Sequence, residues 1–166
     1  TSLLILDNSE YNLYKIRRVL EDSSIAASAS LVYGSVTDEE AVRSIFSGHS
    51  VDVVFHAAAL KHVAIVDANP RAGFSVNVDG TELVARCAAE SGVSRFVFVS
   101  TDKAVKPTTV MGGTKRQAEV RLLHIAESTD MKISVVRFGN VAESSGSVIP
   151  AFKESVMHGR GLKITS

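Results

Sequence analysis

Five short apolar runs punctuate the chain: Leu3–Leu6, Leu31–Tyr33, Val53–Phe55, Phe96–Val99 and Ile133–Val136. They are rich in Val, Ile, Leu and Phe with almost no polar interruption, the pattern of strands buried on both faces. Between them the apolar period changes to that of a helix. Ser9 to Asp22 carries Leu13, Ile16 and Leu20 on one face. Thr37 followed by Glu40 predicts a capping box that opens a helix with Val42, Ile45 and Phe46 inward, closed by Gly48. Asn69-Pro70 predicts a cap and a first-turn proline. The helix they open runs to Gly92, with Gly80, Val84, Cys87 and Ala88 on one stripe. A last long helix is expected from about Thr109 to Ser128, with Ala118, Leu122 and Ile125 facing in.

Strands alternating with helices of these lengths make βαβ units and a parallel sheet. Right-handed crossovers then place helices on both faces. The expected fold is α/β, a doubly wound, mostly parallel Rossmann-like sheet. After Val136 the pattern weakens. The stretch from Glu143 to Ser147 has loop chemistry, Pro150–His158 is a candidate helix and Leu162–Ile164 a candidate strand.

Composition narrows the class. The chain has 166 residues, 45% of them hydrophobic, enough for one domain with a real core and too little for two. Lys plus Arg and Asp plus Glu each number 18, so no charge excess points to nucleic acid or an anionic membrane. The lone cysteine, Cys87, fits a reducing cytoplasm. No run approaches the roughly 18 apolar residues that span a bilayer, so this segment is not expected to touch a membrane. A membrane anchor elsewhere in the parent protein stays open. The start at Thr1-Ser2, running straight into an apolar run, reads as that of an excised chain rather than of a signal peptide.

In a doubly wound sheet, ligands bind beyond the carboxyl ends of the strands. Those positions hold Asp7, residues 34–38, His56 with Ala57, Ala58 and Ala59, the run from Ser100 to Lys103, and the run from Arg137 to Val141. A carboxylate at Asp7 suits the hydroxyls of an adenosine ribose, or simply starts a helix. Alanines 57–59 let a cofactor approach the backbone, though tight packing explains them equally. Lys61 and His62 suggest an anionic or polar ligand, or a solvated helix start. The strongest local signal is Ser100, Thr101, Asp102 and Lys103. If burial and mutual charge moved their affinities toward neutrality, Asp102 is placed as a general acid and Lys103 as a general base. The alternative is a surface turn with a salt bridge. Met111 and Lys115, four apart, share one helix face beside small neighbours. Lys115 is placed to hold the hydroxyls of a nicotinamide ribose, unless it is an ordinary exposed lysine. No metal ligand set is read.

Taken together, VFHAAALKHV from Val54 to Val63, NVDGT from Asn77 to Thr81, STDKAVKPT from Ser100 to Thr108, MGGTK from Met111 to Lys115, RFGNV from Arg137 to Val141 and SGSVIP from Ser145 to Pro150 resemble one family. They are similar to the nucleotide-sugar 4,6-dehydratases of capsule and polysaccharide biosynthesis, within the extended short-chain dehydrogenases/reductases. The resemblance implies UDP-N-acetylglucosamine or a close relative as substrate. It also implies a tightly held NAD or NADP that accepts hydride from C4, loss of water across C5 and C6, and return of the hydride to C6. By position, Asp102 protonates the departing C6 hydroxyl, Lys103 takes the C5 proton and Thr101 bonds the 4-hydroxyl. Asp7, Ala57, Ala58, Ala59, Lys61, Asn77, Ser100 and Lys115 line the cofactor; Lys61, His62, Thr101, Asn140, Ser147 and Val148 meet the substrate. Met111 stands where the wider superfamily has Tyr, and a thioether carries no proton. The sequence resembles the branch in which Met is usual, with the C4 base assigned to Thr101 with Asp102 or Lys103.

The resemblance also implies a partial dinucleotide-binding domain over residues 1–141 and the start of a sugar-nucleotide region over 142–166. The Gly-rich phosphate turn of the family would follow a strand preceding Thr1, placed between the strands that begin near Leu3 and Val53. Ser35 replaces the usual Asp near the adenine, and Ala142-Glu143 a Leu-Gly pair. This segment alone is therefore expected to be inactive, to bind the dinucleotide weakly and to expose strand edges prone to pairing. The parent is expected to be a cytoplasmic homo-oligomer. Asp7 leans toward NAD by repelling a 2′-phosphate. Two other readings are weighed: a nucleotide-sugar 4-epimerase, and a non-catalytic dinucleotide-binding module.

Overall fold

The computed structural model describes residues 2–139, 141 and 156–159. All five expected strands form, as β1 (Leu3–Asp7), β2 (Ala29–Tyr33), β3 (Val53–His56), β4 (Arg95–Thr101) and β5 (Lys132–Phe138). The helices are α1 (Glu10–Glu21), α2 (Glu39–Gly48), α3 (Val63–Ala68), α4 (Pro70–Phe74), α5 (Gly80–Glu90) and α6 (Val110–Glu127). Every strand pairing is parallel, which confirms the α/β class. The expected elements at Pro150–His158 and Leu162–Ile164 lie largely outside the described residues.

The ladder is in two parts, β1-β2 and β3-β4-β5, with no bonds between them. Both parts share one core. Leu6 of β1, Val36 after β2 and Val54 of β3 pack against a cluster built from Val42, Val84, Cys87, Phe96, Phe98, Leu122 and Ile125.

Among the described residues the two faces of the strands differ in burial. Phe96, Phe98 and Ser100 on β4 alternate with Val97, Val99 and Thr101, and only the first set is buried. Phe55 of β3 is 74% exposed, and Val136 and Phe138 of β5 are exposed as well. Among the described residues, the three-stranded part is therefore covered on one face only, by α5 and α6.

Local caps differ from the expectation in two places. The cap of α2 is Asp38, whose carboxylate accepts from the Ala41 N–H at 3.1 Å, while the Thr37 hydroxyl turns to Ser35 at 2.8 Å. A carboxylate at the cap outcompetes a hydroxyl one residue earlier because it also meets the positive helix end. Asn69 takes the N-cap position of α4 and Pro70 the first helical one, as expected, but the Asn69 side chain makes no cap bond there; its amide donates to the Ile65 carbonyl of α3 at 2.9 Å. The long helix expected to run to Gly92 is interrupted by a π-turn over Ser75–Asp79, which buries Asn77 and Val78. The short α3 was not foreseen. Its Asp67 carboxylate accepts from the Val110 N–H at 3.0 Å, and the Thr109 hydroxyl accepts from Gly112 at 3.1 Å, so two side chains serve the start of α6.

Gly112 fixes how closely that start approaches the rim of the sheet. A Cβ there would lie 2.6 Å from the Lys103 carbonyl oxygen, whereas one at Gly113 meets nothing within 4 Å. Only glycine lets the helix seat on the backbone of the turn that follows β4. Gly112→Ala is predicted to cost about 1–3 kcal/mol by overpacking, while Gly113→Ala leaves stability unchanged or gains up to about 1 kcal/mol from helix propensity. Denaturant unfolding of the two variants in the complete protein measures this; equal stability for both refutes the contact.

Candidate active site at the carboxyl rim of the sheet

The end of β4 turns directly into a single 3-10 turn, Asp102–Ala104. The Thr101 hydroxyl donates to Asp102 Oδ1 at 3.0 Å and accepts from the Lys103 N–H at 3.4 Å. Lys103 Nζ donates to the same Oδ1 at 3.2 Å. The three polar groups the sequence singled out therefore share one oxygen. The end of β5 comes close as well, since a Cβ at Gly139 would stand 3.8 Å from Asp102 Oδ2.

The expected shift toward neutrality is not found at Asp102. Hydrogen bonds from Lys103 and then Thr101 hold its carboxyl below the usual range. The side chain is exposed, so desolvation opposes this only weakly, and an opposite charge favours the ionised form. As it stands, the pair is the surface salt bridge weighed as the alternative; a proton-donating Asp102 requires a covering group.

Lys115 is the opposite case. It is not an exposed helix lysine: it is 5% exposed, and its ammonium lies 4.0 Å over the Phe98 ring. Among the described residues it finds no hydrogen-bond acceptor. Burial pushes its affinity from the usual 10.5 down to about 8, with Glu119 one turn on working against the fall. Met111, on the same helical face, is buried too.

Behind Lys115 runs a buried polar chain. His56 Nε2 is 3.0 Å from Thr81 Oγ1, and that hydroxyl donates to the Asn77 carbonyl at 2.8 Å. With its one proton spent there, Thr81 accepts from His56, which must carry its proton on Nε2. Burial and then the nearby Lys115 depress the imidazole to about 3, so it is neutral. The Asn77 amide is fully engaged: it accepts from the Leu60 N–H at 2.8 Å, and donates to the Leu60 carbonyl at 3.0 Å and to Thr114 Oγ1 at 2.9 Å. Asn77 was expected on the cofactor. The structure places it as a clamp holding the loop after β3 against α6.

The remaining expected residues divide. Ala58 and Ala59 are half-buried on that loop, with Ala57, Lys61 and His62 exposed beside them. Asp7 Oδ1 accepts from the Ser9 N–H at 2.8 Å, the helix-starting role, and its Oδ2 has only a 3.5 Å approach from Asn12. Ser100 is buried, and its hydroxyl donates to Glu119 Oε1 at 2.7 Å inside the protein. Asn140, Ser147 and Val148 lie outside the described residues.

Sequence reading missed Glu119, Thr81, Thr114 and the role of Arg137. Glu119 left a signal, for it sits four after Lys115 among the inward positions Ala118 and Leu122. A hollow of about 740 Å³ lies away from the rim, between α2 and α5, beside Arg43, Phe46, Cys87 and Glu90. Among the described residues, no group of acidic, His and Cys side chains is set to hold a metal, and no helix is long and apolar enough to cross a membrane.

Lys115 ties stability to pH. Between about pH 8 and 10.5 the unfolded lysine keeps a proton that the folded one has released. The unfolded state then binds more protons, and stability rises with pH. The complete protein is predicted to gain about 3 kcal/mol over this window relative to Lys115→Met. Denaturant unfolding at several pH values measures the difference; parallel profiles contradict a buried ammonium.

The chain is 42% identical over 130 residues to a probable polysaccharide biosynthesis protein, EpsC, of Bacillus subtilis, covering 78% of this chain and 22% of that protein. It is 38% identical over 144 residues to an inverting UDP-N-acetylglucosamine 4,6-dehydratase of Campylobacter jejuni, covering 84% of this chain and 42% of that one. UDP-glucose 4-epimerases of Rickettsia match at 35–39% identity. The chain thus spans half or less of the length of these relatives. The solved structure of Pen from Bacillus thuringiensis superposes with a TM-score of 0.91 at 30% identity, over 99% of this chain and 50% of that one. With its whole length, residues 1–166, matched by the family described as polysaccharide biosynthesis protein, this chain belongs to that family.

Proposed function

We propose that the chain is the dinucleotide-facing part of a UDP-N-acetylhexosamine 4,6-dehydratase. The observation that carries this reading is Lys115, 5% exposed, whose ammonium lies over the Phe98 ring with no hydrogen-bond acceptor among the described residues, one helical turn from the contact that seats α6 on Lys103. A buried cation without a partner is costly unless a ligand supplies the acceptors. The hydroxyls of a nicotinamide ribose fit that requirement, and the small side chains of Ala57, Ala58 and Ala59 leave backbone accessible nearby. Asp7, whose Oδ2 has only a 3.5 Å contact from Asn12, suits the other ribose. A bound NAD or NADP supplies the acceptor, and later the donor, of a hydride.

The chain's own residues do the proton work. Thr101 bonds the sugar 4-hydroxyl and, with Asp102 or Lys103, draws off its proton. Met111 cannot, since it has none to exchange. Lys103 Nζ takes the C5 proton, and Asp102 protonates the C6 hydroxyl as it leaves as water. The sugar is assigned a second task by the exposure of the pair. Covering it excludes water and favours the neutral partners over the ion pair, raising Asp102 from the depressed range it occupies in the open state. One proton then passes within a pair already 3.2 Å apart.

A 4-epimerase reading is supported by the Rickettsia relatives. It leaves the Asp102-Lys103 pair without a task, because epimerisation removes no water. Incubating the complete protein with UDP-N-acetylglucosamine is expected to give a 4-keto-6-deoxy product, and Lys103→Ala to lower its rate about 10²–10⁴-fold. Finding only the 4-epimer supports the other activity, and undiminished product from the variant removes Lys103 from the mechanism.

A further inference from the structure

We propose that Glu119 is a positioning residue, whose carboxylate holds the ends of β4 and β5 against α6 and so sets the placement of Thr101, Asp102 and Lys103 relative to Lys115. The kinetic side of this inference rests on the dehydratase reading; its structural side does not.

Glu119 is 2% exposed, yet it receives four donors. Oε1 accepts from Ser100 Oγ at 2.7 Å and Arg137 Nε at 2.9 Å. Oε2 accepts from Arg137 Nη2 at 2.6 Å and Arg116 Nη1 at 3.1 Å. Both oxygens are saturated, so the carboxylate has no capacity left for a ligand. Its work is done through its partners, which are placed tellingly. Ser100 is bonded to Thr101, the first member of the triplet. Arg137 stands two before Gly139, the residue that flanks the Asp102 carboxylate. Lys115 is four before Glu119 on the same helix, and therefore on the same face. One carboxylate thus joins the three elements that carry the proposed chemistry.

The ionised form is the one that does this. Burial works to raise the carboxyl, but hydrogen bonds from Arg137, Ser100 and Arg116 outweigh it and keep it below the usual range. The Arg137 fork also fixes an angle as well as a distance, which a single-point contact does not. A carboxylate used only for stability has no need of a donor from each flank of the triplet. An apolar pair of similar volume does that task as well or better.

That difference supplies the test. In Glu119→Gln, an amide N–H replaces one acceptor and faces Arg donors, so both stability and geometry suffer. In the double variant Glu119→Gln with Arg137→Met, the amide oxygen can keep the Arg116 donor while the amide N–H meets Ser100, whose hydroxyl can turn to accept, so stability returns, but the fork and the angle it set do not. In the complete protein, Glu119→Gln is expected to lower kcat on the order of 10–100-fold with KM within about threefold. The double variant is expected to recover its melting temperature and not its kcat. Hydrogen exchange at residues 100–104 is expected to quicken about tenfold or more in both variants, with exchange across α5 unchanged. Recovery of kcat together with stability overturns the proposal, as does exchange that rises evenly across the protein or not at all. If the complete protein turns over no UDP-hexosamine, the dehydratase reading falls, and the exchange pattern alone decides the positioning role.

Discussion

Helix α6 carries two charged residues, Lys115 and Glu119, on the face it turns toward β4, and both are almost wholly buried. Charges are expensive to desolvate, so each constrains what surrounds it. Glu119 is stabilised by donors reaching in from β4, β5 and its own helix. Lys115 has the Phe98 ring and the field of Glu119, and no acceptor among the described residues. The first charge is satisfied within the protein and locks three elements together. In the proposed reading, the second meets the ribose hydroxyls of the bound dinucleotide.

The polar chain behind Lys115 serves the same arrangement from the other side. The π-turn at Ser75–Asp79 widens the helix where Asn77 must point inward, and such turns gather at functional sites. From there Asn77 grips both backbone groups of Leu60, and Thr114 on α6. The loop bearing the small alanines is thus tied to the helix bearing Lys115. Neutral His56, donating to Thr81, completes the network without bringing another cation beside Lys115.

The triplet itself is the least buried part of the site. This has a chemical logic. An ion pair between Asp102 and Lys103 is stable in water, and a neutral acid beside a neutral base is stable only where water is excluded. Under the proposed function, the open rim corresponds to the resting state and the covered rim to the transfer-ready one.

Much of this was legible in the chain. Apolar runs marked all five strands, since near-continuous Val, Ile, Leu and Phe over four to seven residues is how strands of a parallel sheet read. The helical stripes at Val84, Cys87 and Ala88 and at Ala118, Leu122 and Ile125 were read correctly for the same reason. Motif order from His56 to Val141 identified the family because chemistry at strand ends fixes residue type and spacing together. Cap bonds were misread at Thr37 and Asn69, where neighbouring polar residues compete and tertiary contacts choose between them. The interior destinations of Ser100 and Asn77 were also hidden, because a hydroxyl or amide at a strand end or helix turn can face ligand or protein. Only packing decided that Ser100 would meet Glu119, that Lys115 would be buried and that Asp102 would stay in water. Local sequence determines which groups each element carries; burial and charge pairing, which set their chemistry, exist only once distant elements are brought together.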